Sequence, residues 1–276
     1  MKNNKLVKLL CFLVIFMLVF TGCSKIDDLK VKSGYKNRDF DYIKQNKIQK
    51  IIIQSTRDKG FRFIVTDKRA INDLYTMLSS AKPVENKTAL PPDYVFEFHE
   101  GDEKVHKFNY VVGIQEKGLG NFYDDNKAYV VSKRVDNDII KNMSTLRKPR
   151  TFEELYYNSI LNFIDLYVKN TQKDKKIGVN IQDDVEVAKY MLSTDIEDFK
   201  INLKNKMSDL SLVEKNKEDF DVLINVKTYG YKTTVYKSII TLYDKTDNSE
   251  LNYYVWCKRQ DKDWEINITD QRPKDF

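Results

Sequence analysis

The sequence predicts an α+β protein of two domains, each an antiparallel sheet with packed helices, on three observations. Two pairs of β-rich runs flank one amphipathic stretch within residues 46–146. A proline-bearing junction, Arg147-Lys-Pro-Arg150, then separates that half from a new helix start at Thr151. Four long β-rich runs follow that helix, and helices first with strands after is the order of an α+β unit. With 276 residues and 41% apolar composition, the chain has material for two cores. Only 9 Gly and 5 Pro exclude a collagen-like or low-complexity chain.

The N-terminus reads as an address rather than as part of either sheet. Lys2, Lys5 and Lys8 precede an apolar run from Leu9 to Phe20, and Phe20-Thr21-Gly22-Cys23 follows. That run is too short for a membrane span and has the flanks of a signal peptide, residues 1–22. The small residues before Cys23 resemble the lipobox of bacterial lipoproteins. The resemblance implies cleavage before Cys23, lipidation of its thiol and a membrane anchor on the extracellular face, where two acyl chains hold durably. Residues 23–45 are polar without a sustained period and read as a tether.

Ile48–Ser55 and Phe61–Thr66 form the first expected hairpin, and Asp67 caps a helix whose Ile71, Leu74, Tyr75 and Leu78 share one face. Pro83 to Pro92 reads as loop. Tyr94–His99 and Lys104–Tyr110 form a second hairpin, Asn121–Tyr123 and Ala128–Ser132 flank a polar turn, and a helix over 135–146 closes the unit. Residues 147–150 are the linker. Thr151-Phe-Glu-Glu154 has the pattern of a capping box, and Phe152, Leu155, Tyr156, Ile160, Phe163, Ile164 and Tyr167 line one stripe of the helix. Further helix is expected near 184–192 and 195–207. The closing β-runs are Phe220–Tyr229, Thr233–Tyr243, Leu251–Arg259 and Trp264–Thr269.

Helices followed by long strands ending in Asp263-Trp-Glu-Ile-Asn-Ile268 resemble an NTF2-like cone over residues 151–276. The whole order is similar to surface lipoproteins of Clostridium- and Bacillus-type bacteria, including biofilm-associated, DNA-binding ones. That resemblance implies a cell-surface protein linking cells to matrix. No catalytic constellation is legible: P-loop, Gly-x-Ser-x-Gly and His-Glu-x-x-His patterns are absent. The reading is therefore a non-enzymatic protein with no cofactor. His99, His106 and Glu97 read as solvated strand residues rather than metal ligands. Cys257 reads as buried packing. Tyr156, Tyr229, Tyr231, Tyr253 and Trp256 read first as core, and alternatively as the mouth of a cone holding a small ligand or protein partner.

The formal net charge of +6 hides a polarity. Residues 23–150 hold 25 basic and 18 acidic groups, net +7, whereas residues 151–276 hold 19 and 23, net −4. Opposite charges also permit a homodimer. The basic half points to a polyanion, extracellular DNA first, bound through phosphates without sequence specificity. Lys44, Lys47, Lys50, Arg57, Lys59, Arg62, Arg147, Lys148 and Arg150 are the expected contacts, with Phe61 or Tyr35 free to stack on a base. Anionic lipid or teichoic acid competes for the same charge.

Overall fold

The structure is a computed structural model that describes residues 27–44, 47–114, 118–140, 148–169, 171–172 and 174–276. The signal segment, Cys23 and Arg147 lie outside the described residues. It is a mixed α+β protein with a seven-stranded sheet, a six-stranded sheet and a two-stranded ladder.

In the first half, β1 (Ile48–Ser55) and β2 (Arg62–Val65) pair antiparallel, and Asp67 caps α1 (Lys68–Ser79) by accepting from the backbone amides of Arg69 and Ala70. The expected loop after it carries β3 (Lys82–Val84) and β4 (Asn86–Lys87). β5 (Tyr94–Glu100) and β6 (Lys104–Tyr110) form the second hairpin. β7 (Leu119–Gly120), β8 (Phe122–Tyr123) and β9 (Ala128–Val130) complete the half, and residues Val135–Ile140 form a π-helical turn. Alternation along β1, β5 and β6 puts Ile51, Ile53, Phe96, Phe98, Phe108 and Tyr110 on the face that packs with Leu74 and Leu78 of α1. The opposite face carries Lys50, Gln54, Arg62, Ile64, Glu97 and Lys107.

The expected tether is partly incorporated in this core. Asn37 is buried and donates to the carbonyls of Leu78 and Ala81, at the end of α1. Phe40 and Ile43 are 1% and 2% exposed, the former against the rings of Phe108, Phe122 and Tyr129. Two apolar residues three apart are too short a signal for periodicity, and burial among aromatic rings decides their place.

In the second half, α2 (Phe152–Phe163) continues into a π-helical turn at Ile164–Val168, where the Lys169 amide reaches the Ile164 carbonyl. The capping box does not form. Thr151 takes the left-handed conformation, φ 47°, with no side-chain cap, and its hydroxyl accepts from the Trp264 indole. β10 (Ile177–Asn180) is wholly buried. Helix is absent from most of 184–192, which holds a single 3-10 turn at Ala188–Tyr190. α3 (Ser193–Lys206) follows, then β11 (Leu210–Leu212). The long strands β12 (Val222–Lys232), β13 (Val235–Asp244), β14 (Ser249–Gln260) and β15 (Asp263–Thr269) pair antiparallel. β10, however, pairs parallel with both β11 and β12, so this sheet is mixed rather than antiparallel throughout.

The curled sheet packs around α2, with Phe152, Tyr156, Ile160 and Phe163 against Val226, Tyr236, Ile240 and Val255. Tyr156 and Tyr253 belong to that packing, so they do not form a mouth. Buried Asp184 is the polar centre of this interior. It accepts from the Tyr156 hydroxyl at 3.0 Å, the Thr228 amide at 3.0 Å and the Thr228 hydroxyl at 2.8 Å. Cys257 is free and buried, and burial pushes its thiol up to about 12. No helix among the described residues is long and apolar enough to cross a membrane.

Candidate polyanion surface and the joint between the sheets

β2 is an edge strand, and its register places Arg62 opposite Gln54 and Ile64 opposite Ile52 on the solvent face. Lys50 lies on that same face, opposite His99 of β5. The turn between β1 and β2 is pinned to it as well, because the Gln54 amide donates to the Lys59 carbonyl at 2.7 Å. Lys50, Lys59 and Arg62 are all exposed, so three cations gather along one hairpin edge. Farther across the sheet the charge is mixed. Lys107 meets Glu97 at 2.8 Å, and a trough of about 600 Å³ running from Lys59 ends at Asp124 and Asp125.

The other expected contacts divide. Lys44 and Lys47 are exposed but stand 3.4 Å from Asp27 and 3.7 Å from Glu100. Lys148 is held by Glu153 and lies over the rings of Phe152 and Tyr190 at 5.5 and 5.7 Å. Arg150 is exposed, while its carbonyl accepts from the Trp264 indole. Phe61 is not free to stack: it packs edge-on against Phe63 at 5.0 Å and onto the first core. Tyr35 remains 78% exposed.

Arg57 has a different place altogether. Its guanidinium donates to the buried Asp93 carboxylate at 2.6 Å and to the Ser193 hydroxyl. Asp93 also accepts from the amides of Val112 and Ser193, each at 2.8 Å, and the Ser193 hydroxyl reaches the Pro91 carbonyl. Burial pushes the Asp93 carboxyl up, while Arg57 and the two amides pull it down. This polar knot ties the first sheet to the start of α3. Asp195, two residues on, has a buried carboxylate oxygen with no hydrogen-bond partner among the described residues, as does the Tyr157 hydroxyl. Burial first, then the neighbouring Glu153 carboxylate, raises Asp195 to about 7.

Beside the knot runs a crevice of about 540 Å³ with Leu90, Met191, Ile196 and Leu212 on its walls and Lys200 between Glu197 and Glu214 on its rim. Sequence reading missed both features, although Pro91-Pro92-Asp93 ahead of a strand marks a carboxylate fixed by rigid backbone. His106 meets Glu100 and stacks on Tyr42, and His99 meets Glu97. No group of three His, Cys, Asp or Glu among the described residues is arranged to hold a metal ion.

The chain thus presents a mixed α+β protein with a basic hairpin edge and a polar knot joining two sheets. Over residues 44–149 it is similar to the YhfM protein family, a bacterial family. No curated protein and no solved structure matches it.

Proposed function

We propose that the chain is a lipid-anchored surface protein, held through Cys23, that binds extracellular DNA without sequence specificity along the β1–β2 edge. The observation that carries the reading is the clustering of exposed Lys50, Lys59 and Arg62 on one edge, without a described acidic partner. Cations so placed follow a phosphate backbone and read no base. Arg57 and Lys148 drop out of the contact set, because their charges are already met by Asp93 and Glu153. Helix-first order and a curled sheet around α2 support an NTF2-like reading of residues 151–276. In that reading, the second half serves as a packed scaffold.

The test is a gel-shift titration of the full-length chain with duplex DNA across a salt series. Binding is expected to weaken steeply with salt, with a log–log slope of about −3 for three phosphate contacts. The triple variant Lys50→Glu, Lys59→Glu, Arg62→Glu is expected to abolish the shift. No retardation at low salt, or an unchanged shift in the variant, overturns the reading. For the anchor, Cys23→Ala is expected to release the protein from the cell surface into the medium; retention at the surface counts against lipidation.

A further inference from the structure

We propose that the outer face of the second sheet is an aromatic and cationic platform for single-stranded nucleic acid, its bases stacking on Tyr229 and Trp256 and its phosphates meeting Lys227, Lys237, Lys258 and Arg272.

The strand register builds this surface. Inward residues of β12 to β15 fill the core around α2, so the alternate positions face away from it. Lys237 pairs with Trp256, which pairs with Asn267, and Lys227 pairs with Ile239, which pairs with Tyr254. A bulge between Thr228 and Gly230 breaks the alternation at Tyr229. Thr228 turns inward to Asp184, and Tyr229 is left outward and 53% exposed. Trp256 lies on this outward face opposite Lys237, is half-buried, and makes no ring contact with another aromatic side chain among the described residues.

The platform already holds a flat ring. Phe276 lies against Tyr229 and Tyr254, each at 5.1 Å between centroids. Lys237 and Arg272 stand over that ring at 5.7 and 6.0 Å, and Arg272 also covers Tyr229 at 5.8 Å. A planar ring with negative charge close by is what this arrangement accommodates, and a nucleotide has both parts. Charge supports the same occupant. The second half is net acidic, yet four cations gather here, with Glu265 as the carboxylate opposite Lys258. In a duplex the base faces are stacked on one another, so a stacking surface selects a single strand. This site is separate from the β1–β2 edge and does not depend on it.

Fluorescence anisotropy of a labelled oligo-dT 20-mer with the full-length chain, against a duplex of equal length, tests the assignment. Tyr229→Ala and Trp256→Ala are each expected to weaken oligo-dT binding about 10-fold, from roughly 1–3 kcal/mol per stacked base. Phe276→Ala is expected to strengthen it severalfold by vacating the ring position. The triple β1–β2 charge reversal is expected to change it less than threefold. Circular dichroism confirms that each variant is folded. Equal affinity of the folded β1–β2 triple variant for single strand and duplex, or binding unchanged in folded Tyr229→Ala and Trp256→Ala, overturns the platform and leaves the β1–β2 reading standing. Loss of oligo-dT binding on the β1–β2 reversal also overturns it.

Discussion

Asp195 occupies the first turn of α3, where the helix N-terminus favours a negative charge, yet its carboxyl titrates near 7. Burial outweighs the helix because one carboxylate oxygen lacks a donor, and the Glu153, Asp93 and Asp198 carboxylates add repulsion that Lys148 only partly offsets. Between the ordinary aspartate value of 3.8 and about 7 the folded protein therefore keeps a proton that the unfolded chain has already released. Stability from this group falls as pH rises through that window, and the penalty is complete above it. Asp195→Asn removes the titration. The variant is expected to unfold at higher denaturant than the parent at pH 8, by on the order of 2 kcal/mol, and at the same denaturant near pH 4. Denaturant curves at the two pH values decide it; an offset independent of pH would mean that burial of the charge is not the cause.

Elements answer to closeness of approach as much as to pattern. β10 lies between β11 and β12, and a Cβ on Gly178 would sit 2.7 Å from the Phe220 ring and 2.8 Å from Val213. Phe220 and Val213 pack together with Leu223, so neither ring nor methyl has room to retreat. Gly178→Ala is expected to cost about 1–3 kcal/mol, seen as a lower urea midpoint with an unchanged slope. A midpoint equal to the parent's would show that β11 yields. The same strand marks a limit of sequence reading. Ile177–Asn180 is four residues long and buried throughout, so it has no alternation to detect, and its parallel partners are remote in the chain. Long amphipathic elements were legible for the opposite reason: β12 to β15 and α1 repeat their pattern enough times to declare a face. Capping chemistry at Thr151 misled because Trp264, 113 residues away, claims the hydroxyl. Among the basic residues, local sequence marked the β1–β2 tip. It could not reveal that Arg57 turns inward, since Asp93 and Ser193 reach it only through tertiary packing.

At the scale of the molecule, two sheets enclose the two largest apolar clusters among the described residues, and Arg57–Asp93–Ser193 is a largely buried polar link between them. Whether the halves unfold together then depends on whether this link outweighs their independence. Arg57→Ala leaves the Asp93 carboxylate buried with two backbone amides but no cation, a change that costs about 3 kcal/mol when a buried pair loses one member. The loss falls on the first half, where Asp93 immediately precedes β5. Both tryptophans, Trp256 and Trp264, lie in the second sheet, so fluorescence reports that half alone while far-ultraviolet circular dichroism reports both. In the parent the two probes are expected to trace one denaturant transition. In Arg57→Ala the dichroism is expected to fall at lower denaturant, with the fluorescence midpoint nearly unmoved. If both probes shift together in the variant, the two clusters remain coupled without the knot, and the joint is held by packing such as Leu192 against the first core. If they already separate in the parent, the halves are independent folding units and the knot only sets how they sit.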